Sequence, residues 1–365
     1  MNTKIIAFYL PQFHPFKEND EWWGKGFTEW TNVGKAKSLF RGHQQPKVPA
    51  DLGYYDLRLP EVRNQQVELA KSAGIYGFCY WHYWFGNGVQ LMNRIIDEVH
   101  SSESPDFPFC LGWANESWKA KQWNKDGSGD KILVEQTYPD IADFRKHYEY
   151  VRELFKDKRY IRYEGKPFFY IYKPLNSPAI KQIILLWNQW IKEDGIADGI
   201  YFVANLDFER DFDKVSLLGF NAYSPANLER IDNYYHSKSL LHKLFIKLKR
   251  NFQIGPTRIP YSKACNHIWN ANLDFRDDFI PFLIPNWDHT PRSGRRGRVL
   301  TGSTPTLFEE QAEYVLGEVQ KKKQKFVMLK SWNEWAEGNY MEPDLVWGHG
   351  YIDALKKAIE TRWRN

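Results

Sequence analysis

Two glutamates, Glu334 and Glu337, lie three residues apart where an apolar run beginning at Phe326 gives way to the Gly338-Asn339 turn signal. Tryptophans stand on both sides of Glu334. Paired carboxylates on apolar and aromatic walls are what hydrolysis of a glycosidic bond needs. One carboxyl keeps its proton near neutral pH and gives it to the leaving oxygen, while the other is ionised and serves as base or nucleophile. The pattern therefore predicts that Glu334 and Glu337 are catalytic.

The composition of the chain indicates which classes of molecule it binds. The net charge is +5, which is far from a nucleic-acid-binding footprint unless it is concentrated on one face. Aromatic residues make up 17% of the chain, and many of its 16 tryptophans fall at predicted strand ends and in loops. Aromatic faces in such places suit stacking against sugars. We predict an oligosaccharide or polysaccharide substrate, no nucleic acid, and neither metal nor other cofactor, with the oligomeric state open.

The first residues and the cysteines indicate the cellular compartment in which we expect the protein. The first residues contain one lysine and a short apolar run without a cleavage site, which is typical of a buried strand rather than a signal peptide. No segment is apolar for long enough to span a bilayer. The three cysteines cannot all pair, and no Cys-x-x-Cys spacing occurs. We therefore expect reduced thiols and a cytoplasmic protein.

Eight short apolar segments alternate with helical patterns along the chain, and no Gly-x-Gly-x-x-Gly follows the first of them. This order favours a single (β/α)8 TIM barrel over residues 1–365 rather than a doubly wound sheet. The predicted strands are 5–10, 75–84, 109–116, 168–172, 201–204, 220–223, 279–284 and 326–329. The predicted helices are 61–73, 89–100, 141–155, 179–192, one starting at Thr306 with Glu309 completing a capping box, and 350–362.

Two segments exceed what a plain barrel requires. Residues 11–60 form a long loop rich in aromatic residues, which predicts a functional role. About 50 extra residues, at about 226–278, form an inserted helical segment. Within it, leucines at helical spacing in 236–250 lie opposite lysines and an arginine. This pattern predicts a helix packed on the barrel with a solvated basic face or, as the alternative, a weak contact with a membrane surface or a polyanionic substrate.

Polar and aromatic side chains follow the predicted strands, and the C-terminal ends of barrel strands surround the active site. We therefore expect a set of substrate-binding residues in one cleft. They are Tyr9, His14, Trp81, His82, Trp84, Trp113, Asn115, Glu116, Asn205, Tyr223, Asn286, Trp287, Asp288, Trp332 and Asn333. Glu29 and Glu342 are weaker carboxylate candidates. Arg292 belongs to a basic run that we interpret as a solvated loop, although it could clamp an acidic sugar.

Several long stretches resemble one protein family. They are Tyr9-Leu-Pro-Gln-Phe-His-Pro, the run from Asn19 to Val33, Gly77-Phe-Cys-Tyr-Trp-His-Tyr-Trp, Trp113-Ala-Asn-Glu-Ser-Trp, Asn286-Trp-Asp-His-Thr-Pro-Arg and Trp332-Asn-Glu-Trp-Ala-Glu-Gly-Asn. These are similar to the WbsX-like proteins of bacterial surface-polysaccharide gene clusters, which are related to the endo-α-mannosidases of glycoside hydrolase family 99. The resemblance runs from Lys4 to about Glu360.

The resemblance implies a (β/α)8 fold and retaining cleavage of an α-linked sugar through a 1,2-anhydro sugar. Carried over by position, Glu334 would deprotonate the sugar 2-hydroxyl, and Glu337 would be the general acid and then the base. Ala336 stands where the hydrolase motif has a histidine, which puts the sugar specificity in question. The residues alone leave the mechanism open, because carboxyl separations of ~5–5.5 Å suit direct attack and ~6.5–9.5 Å leave room for water.

Two alternatives remain beside a hydrolase of lipopolysaccharide or another surface polysaccharide. Asp211-Phe-Asp213 matches the Asp-x-Asp of metal-dependent sugar-nucleotide transferases, and WbsX-like proteins have often been labelled glycosyltransferases. A transferase would depend on a sugar nucleotide and on Asp211. A carbohydrate-binding protein without catalysis would bind oligosaccharide and be indifferent to Glu337→Gln.

Overall fold

The computed structural model describes residues 3–120, 131–225, 228–236 and 254–363, and its centre is a barrel of eight parallel strands. We number them in chain order: β1 Lys4–Tyr9, β2 Gly77–Trp84, β3 Phe109–Trp113, β4 Lys166–Ile171, β5 Tyr201–Asn205, β6 Ala222–Ser224, β7 Phe282–Leu283 and β8 Phe326–Leu329. Their order around the barrel is β6-β5-β4-β3-β2-β1-β8-β7. The predicted (β/α)8 fold is therefore confirmed.

The order of the strands brings the first and the last of them together. Lys4 pairs with Phe326 and Ala7 with Leu329, so β1 and β8 are parallel neighbours. The remaining gap, between β6 and β7, is bridged by Tyr223 and Phe279. Because all eight strands run the same way, their C-terminal ends form one mouth, and the loops that follow them meet there.

Helices connect the strands and cover the barrel. They are Lys17–Trp23, Glu29–Gly34, Pro60–Ser72, Arg94–Ser101, Ile141–Phe155, Ile180–Glu193, Phe212–Ser216, Glu229–His236, Tyr261–Cys265, Ala271–Asp274, Thr290–Ser293, Pro305–Val319 and Gly350–Trp363. Shorter 3₁₀ turns are Pro174–Asn176, Glu209–Asp211, Gly294–Arg296 and Trp335–Glu337. Short strand pairs lie outside the barrel: Gln90–Leu91 on β2, Arg162–Tyr163 on β4, Trp118–Ala120 with Lys131–Val134, Thr257–Pro260 with Arg298–Thr301, and Asn333–Glu334 with Asn339–Tyr340.

Several boundaries differ from the predicted ones. The helix predicted from residue 89 begins at Arg94, because Gln90–Leu91 pairs with the end of β2. The helix predicted from Thr306 begins at Pro305 and has no capping box with Glu309, because Thr304 is its N-cap and accepts from the Leu307 amide. The third strand ends at Trp113, before the predicted Glu116, and the seventh is confined to two residues.

Alternate residues of each strand point into the barrel or toward the helices, as the two-residue period of a strand requires. On β2, Trp81 points inward and stacks on Phe8 of β1, with 4.7 Å between ring centroids and 2° between planes. Gly112 of β3 makes room for this indole, because a Cβ there would lie 3.2 Å from two of its carbons. The barrel interior is thus filled by aromatic rings below the mouth.

The three cysteines are free thiols, as predicted, and Cys79 and Cys110 are buried. In the part of the chain that the structure describes, no helix has the length and apolar character to cross a membrane. Between β6 and β7 the described residues form helix Glu229–His236, where Arg230 contacts Asp274 at 2.5 Å, and strand Thr257–Pro260. Apart from His236, the predicted amphipathic segment 236–250 lies outside the described residues.

A buried histidine pair lies between the barrel and helix Ile141–Phe155. The Nε2 atoms of His82 and His147 are 2.8 Å apart, so one ring donates and the other accepts. Burial lowers the pKa of His82 to about 3. The pKa of His147 is also lowered, first by burial and then by His82. Both rings are therefore neutral in the folded protein at neutral pH.

We expect acid to destabilise the protein through this pair. The unfolded chain protonates both rings below a pKa of ~6.5 whereas the folded protein does not, so the free energy of unfolding falls as the pH drops below that value. Between pH 7.5 and 5.0 each histidine should cost about 2 kcal/mol. Urea unfolding of the wild type, His147→Gln and His82→Gln/His147→Gln at both pH values measures this. The exposed His349 provides the control His349→Gln, and equal losses in the wild type and both pair variants would contradict the expectation.

Candidate active site

Both candidate glutamates lie on one tight hairpin that follows β8. Strands Asn333–Glu334 and Asn339–Tyr340 pair in antiparallel fashion, and the 3₁₀ turn Trp335–Glu337 joins them. Gly338 follows the turn with φ 56°, in the left-handed region that favours glycine. The predicted turn at Gly338-Asn339 is thus present. The hairpin holds both carboxyl groups at the mouth of the barrel.

A second turn, after β7, is locked against this hairpin through Asp288. The Asp288 amide donates to the Glu337 carbonyl at 2.6 Å. A Cβ on Gly338 would lie 2.6 Å from the Asp288 Cβ, so only glycine permits this approach. The Asp288 carboxylate accepts from the Thr290 amide at 3.0 Å and from the Thr290 hydroxyl at 2.6 Å, and it thereby shapes helix Thr290–Ser293.

Arg292, on that short helix, contacts three carboxylates. Its Nη1 lies 2.5 Å from Glu337 Oε1, and its Nη2 lies 3.3 Å from Glu334 Oε2. Glu29 Oε2 accepts a hydrogen bond from Arg292 Nε at 3.2 Å and lies 3.1 Å from Nη2. His289 Nε2 is 3.6 Å from the same oxygen of Glu337. One planar guanidinium therefore ties the two candidate glutamates together and to the segment that follows β1.

The two glutamates have opposite protonation tendencies. Burial, and then the charge of Glu337, raises the pKa of Glu334 to about 8. Burial would raise the pKa of Glu337 too, but Arg292, His289 and Lys330 outweigh it and hold that pKa below its usual range. Since the two groups interact, they titrate as a pair. At neutral pH these surroundings favour the protonated form of Glu334 and the ionised form of Glu337.

Aromatic and charged side chains surround the pair. Trp81 meets Tyr172 edge to face at 5.4 Å, and Lys330 lies over the Trp287 ring, 5.1 Å from its centroid. Lys173 forms an ion pair with Asp207 at 2.8 Å. The charges of Glu334, Arg292, Glu116 and Glu29 all act on the buried Tyr83 hydroxyl, and those of Glu116, Glu337, Asp207 and Glu334 act on Tyr172. These side chains form a cleft over the barrel with mixed aromatic and polar walls.

Five of the predicted site residues belong to this cleft. They are Glu334, Glu337, Trp81, Asn205 and Trp287. Asn205 binds Asp207 Oδ1 at 3.0 Å and accepts from the Tyr170 hydroxyl at 2.9 Å. Glu116 lies at the exposed rim, where its charge raises the pKa of Tyr172 after the larger effect of burial.

Three predicted binding residues instead pack against helix Ile141–Phe155. His82 pairs with His147, as described above. Trp84 stacks on the His147 ring at 4.6 Å and donates to Asp143 at 3.1 Å. Trp113 donates to the Trp84 carbonyl at 2.9 Å. These three side chains therefore lie outside the cleft, contrary to the expectation, because His82 and Trp84 occupy the outward positions of β2 and Trp113 the outward position of β3.

Three more predicted binding residues point away from the cleft, Tyr9 and Tyr223 from outward strand positions and Trp332 from the segment that follows β8. Tyr9 is buried toward helix Pro60–Ser72 and donates to Gln66 at 2.6 Å. Tyr223 packs on Phe212 and Phe279. Trp332 is fully buried and packs on Phe78 at 5.5 Å.

The remaining predicted binding residues have structural partners. Asn115 joins the ends of β3 and β4 through the Lys173 backbone, and Asn333 binds both backbone groups of Leu10 at 2.7 and 3.0 Å. Asp288 shapes the turn after β7 that carries Arg292, which we call the Arg292 turn, rather than facing the cleft. Asn286 accepts from the Trp287 amide, and His14 is buried beside Pro15. Glu342 accepts from Tyr55, Gln66 and Trp335 in a buried network.

The sequence reasoning missed the most connected cleft residue. Arg292 was interpreted as part of a solvated basic loop, yet it binds three carboxylates. Tyr83, Tyr172 and Lys330 were not singled out either. For Tyr83 a signal existed, because it lies two residues after Trp81 and therefore on the same face of β2.

A family model and curated proteins match almost the whole chain. The model of the family described as "Glycosyltransferase WbsX" matches residues 5–355. An uncharacterized protein, WxcX, of Xanthomonas campestris pv. campestris is 34% identical over 372 residues, covering 97% of this chain and 49% of its own length. The chain thus spans about half the length of the curated relatives it matches.

Solved structures resemble the chain at low sequence identity. A glycoside hydrolase-like protein superposes with a TM-score of 0.60 and 14% identity, covering 98% of this chain and 94% of its own. The glycoside hydrolase family 99 endo-α-mannosidase of Bacteroides thetaiotaomicron in complex with bis-tris-propane superposes with a TM-score of 0.57 and 14% identity, covering 99% and 97%. At such identity these likenesses establish the barrel fold.

Proposed function

This chain belongs to the WbsX family, and from that premise we propose that it is a retaining glycoside hydrolase acting on an α-linked glycan of a bacterial surface polysaccharide. The observation that carries the proposal is the pair of largely buried carboxyl groups that contact Arg292, whose pKa values are displaced in opposite directions. Titratable groups driven apart in this way are how one site supplies an acid and a base at one pH. The aromatic walls of the cleft suit the apolar faces of a sugar.

In the proposed reaction, Glu334 acts on the sugar 2-hydroxyl and Glu337 acts on the glycosidic oxygen. Glu334 takes the proton of the sugar 2-hydroxyl, whose oxygen attacks C1 and forms a 1,2-anhydro sugar. Glu337 gives its proton to the glycosidic oxygen, which leaves. Water then adds to C1, Glu337 takes a proton from it, and Glu334 returns its proton to O2. Two displacements at C1 retain the configuration, and the enzyme recovers its starting protons.

The substrate has to move the resting proton from Glu334 to Glu337 for these roles. A 2-hydroxyl that donates to Glu334 favours the ionised form of that carboxyl, and a glycosidic oxygen that accepts from Glu337 favours its protonated form. The pair already holds the required single proton, so binding redistributes it rather than adding one. The raised pKa of Glu334 also makes it a stronger base once it is ionised.

The family description keeps glycosyl transfer as the second candidate. Asp211, which a transferase of the Asp-x-Asp type would use, is paired with Lys214 at 3.3 Å on a surface turn. Among the described residues, no three His, Cys, Asp or Glu side chains gather in a way that could hold a metal ion. No contact in the described chain joins Asp211 to Glu334 or Glu337.

The nucleotide requirement and the product's anomeric form test the proposal. The protein is incubated with the surface polysaccharide of its host with and without a mixture of sugar nucleotides and Mn²⁺, and proton NMR follows the new reducing ends. We expect α-configured ends to appear first without any addition. Products that appear only with sugar nucleotides would establish the transferase. Binding without any product would favour a carbohydrate-binding protein.

A further inference from the structure

Glu29 is the third carboxylate on Arg292, and it comes from a distant part of the chain. It is the first residue of helix Glu29–Gly34, whose N-cap Thr28 accepts from the Trp30 amide at 3.2 Å. The Glu29 side chain is only 5% exposed. It binds the Nε edge of the guanidinium, so that Nη1 is left for Glu337 and Nη2 is shared with Glu334. Glu29 therefore determines how the guanidinium is oriented.

The segment that contains Glu29 also contacts both the turn after β7, which carries Arg292, and the hairpin that carries Glu334 and Glu337. His43 and Gln45 donate to Asp288 Oδ2 at 2.7 and 2.6 Å. Trp30 packs against Trp335 of the catalytic hairpin, with ring centroids 5.5 Å apart. Residues 11–60 therefore fix the Arg292 turn and the hairpin relative to each other.

We infer that Glu29 is a positioning residue: it fixes the Arg292 guanidinium against both catalytic carboxyls and offsets its charge, so that the pair keeps one proton. Glu29 and Arg292 together are electrically neutral. Without the Glu29 carboxylate, the full positive charge of Arg292 would act on Glu334 and Glu337 and favour their ionised forms. The inference rests on the proposed function for its effect on rate, whereas its effect on the proton of the pair can be measured without any reaction.

Other charged or titratable groups face the pair and remain in place when Glu29 is changed. Arg292 and His289 follow β7, and Lys330 follows β8. From the other strands, the groups are Tyr83, Glu116, Tyr172, Lys173 and Asp207. A change confined to Glu29 therefore isolates one charge of this set.

Titration of carbon-13-labelled glutamate carboxyls tests the inference directly. The resonance of Glu334 is the one lost in Glu334→Gln, and in the wild type it should titrate near pH 8. In Glu29→Gln, which keeps the size and an acceptor for Arg292, its midpoint should fall by about one pH unit. Glu29→Asp should restore part of the difference. Glu21→Gln, at an exposed glutamate of the same segment, should leave the midpoint unchanged.

An unchanged midpoint in Glu29→Gln would overturn the inference, including the case in which only the thermal stability falls, as a purely structural role predicts. If the wild type is a hydrolase, the alkaline limb of its pH–rate profile should move with the titration. The rate of Glu29→Gln at pH 8 would then fall about fivefold, while the rate near pH 6 and KM stay close to the wild type. A shifted titration in a protein without hydrolytic activity would support the role of Glu29 and refute the proposed function separately.

Discussion

Arg292→Met is expected to lower kcat/KM by about 10³-fold, the loss that follows removal of a general base. The substitution leaves Glu29, Glu334 and Glu337 together without the cation that now contacts all three. The carboxyl groups should then take up protons, so that the pair holds two protons and lacks an ionised base at neutral pH. The pH optimum should accordingly move upward, opposite to the effect of Glu29→Gln.

The same substitution should also destabilise the fold. Removing one partner of a fully buried ion pair costs ~3–5 kcal/mol, and since the Arg292 side chain is 26% exposed we expect about 2–3 kcal/mol. Arg292→Lys keeps a charge but cannot reach three carboxylates with one ammonium, so it should recover stability more than rate. Arg295→Met, at an exposed arginine of the same loop, is the matched control. A rate for Arg292→Met within about threefold of the wild type would show that the contacts of Arg292 with the three carboxylates, here called the arginine clamp, have no part in catalysis.

Glu334→Gln and Glu337→Gln should each lower kcat/KM on the polysaccharide by about 10²–10⁴-fold, the range for loss of a general acid or base. The rates of the two variants should differ on a substrate whose leaving group needs no proton. With the dinitrophenyl α-glycoside of the released sugar, Glu337→Gln should give a burst of dinitrophenolate close to the wild-type rate, because the acid is dispensable for that step. Glu334→Gln should remain slow, because the 2-hydroxyl still requires its base.

The two variants also test the assignment of roles. In the unliganded protein the proton lies on Glu334, so a reversed pattern, with the burst in Glu334→Gln, would mean that Glu334 is the acid and that no proton is redistributed on binding. Asp213→Asn, at an exposed carboxylate of the surface Asp-x-Asp, serves as the control. It should behave as the wild type on both substrates.

The barrel could be predicted from the sequence because its signals are local. The strands lie in short apolar runs, and Phe326–Leu329, which stands between Lys325 and Lys330, was predicted with the bounds that the structure has. Helix Ile141–Phe155 was likewise predicted with these bounds, and its N-cap Asp140, whose side chain accepts from the Asp143 amide, is the residue directly before it in the chain. The turn after β8 was predicted from the Gly338-Asn339 signal for the same reason.

The binding residues were only partly predictable, because proximity to a strand end does not determine which way a side chain points. On β2, Trp81 faces the cleft whereas His82 and Trp84 face a helix, although all three lie at the same end of the strand. Strand parity would have separated them and would have added Tyr83. Residues after the strand end, such as Asn115 and Asn333, follow no such period and use their side chains to fix neighbouring backbone.

The arginine clamp lay beyond sequence reasoning for a different reason. Glu29 and Arg292 are 263 positions apart, and nothing in either local sequence indicates the contact. Basic loop residues are usually solvated, so the local pattern around Arg292 favoured the wrong interpretation. Only the closure of the barrel, which places β1 beside β8 and β7 beside β8, brings the three carboxylates to one guanidinium.

The most direct measurement is the release of glycan from the host's own surface polysaccharide by the wild type beside Glu337→Gln, without added nucleotide or metal. If Glu334 and Glu337 are a hydrolytic pair, new reducing ends should appear with the wild type and fall by at least about 10²-fold with Glu337→Gln. Equal release by the two proteins would place the chemistry outside this pair. Release by neither, followed by sugar incorporation once sugar nucleotides are supplied, would contradict hydrolysis and establish transfer.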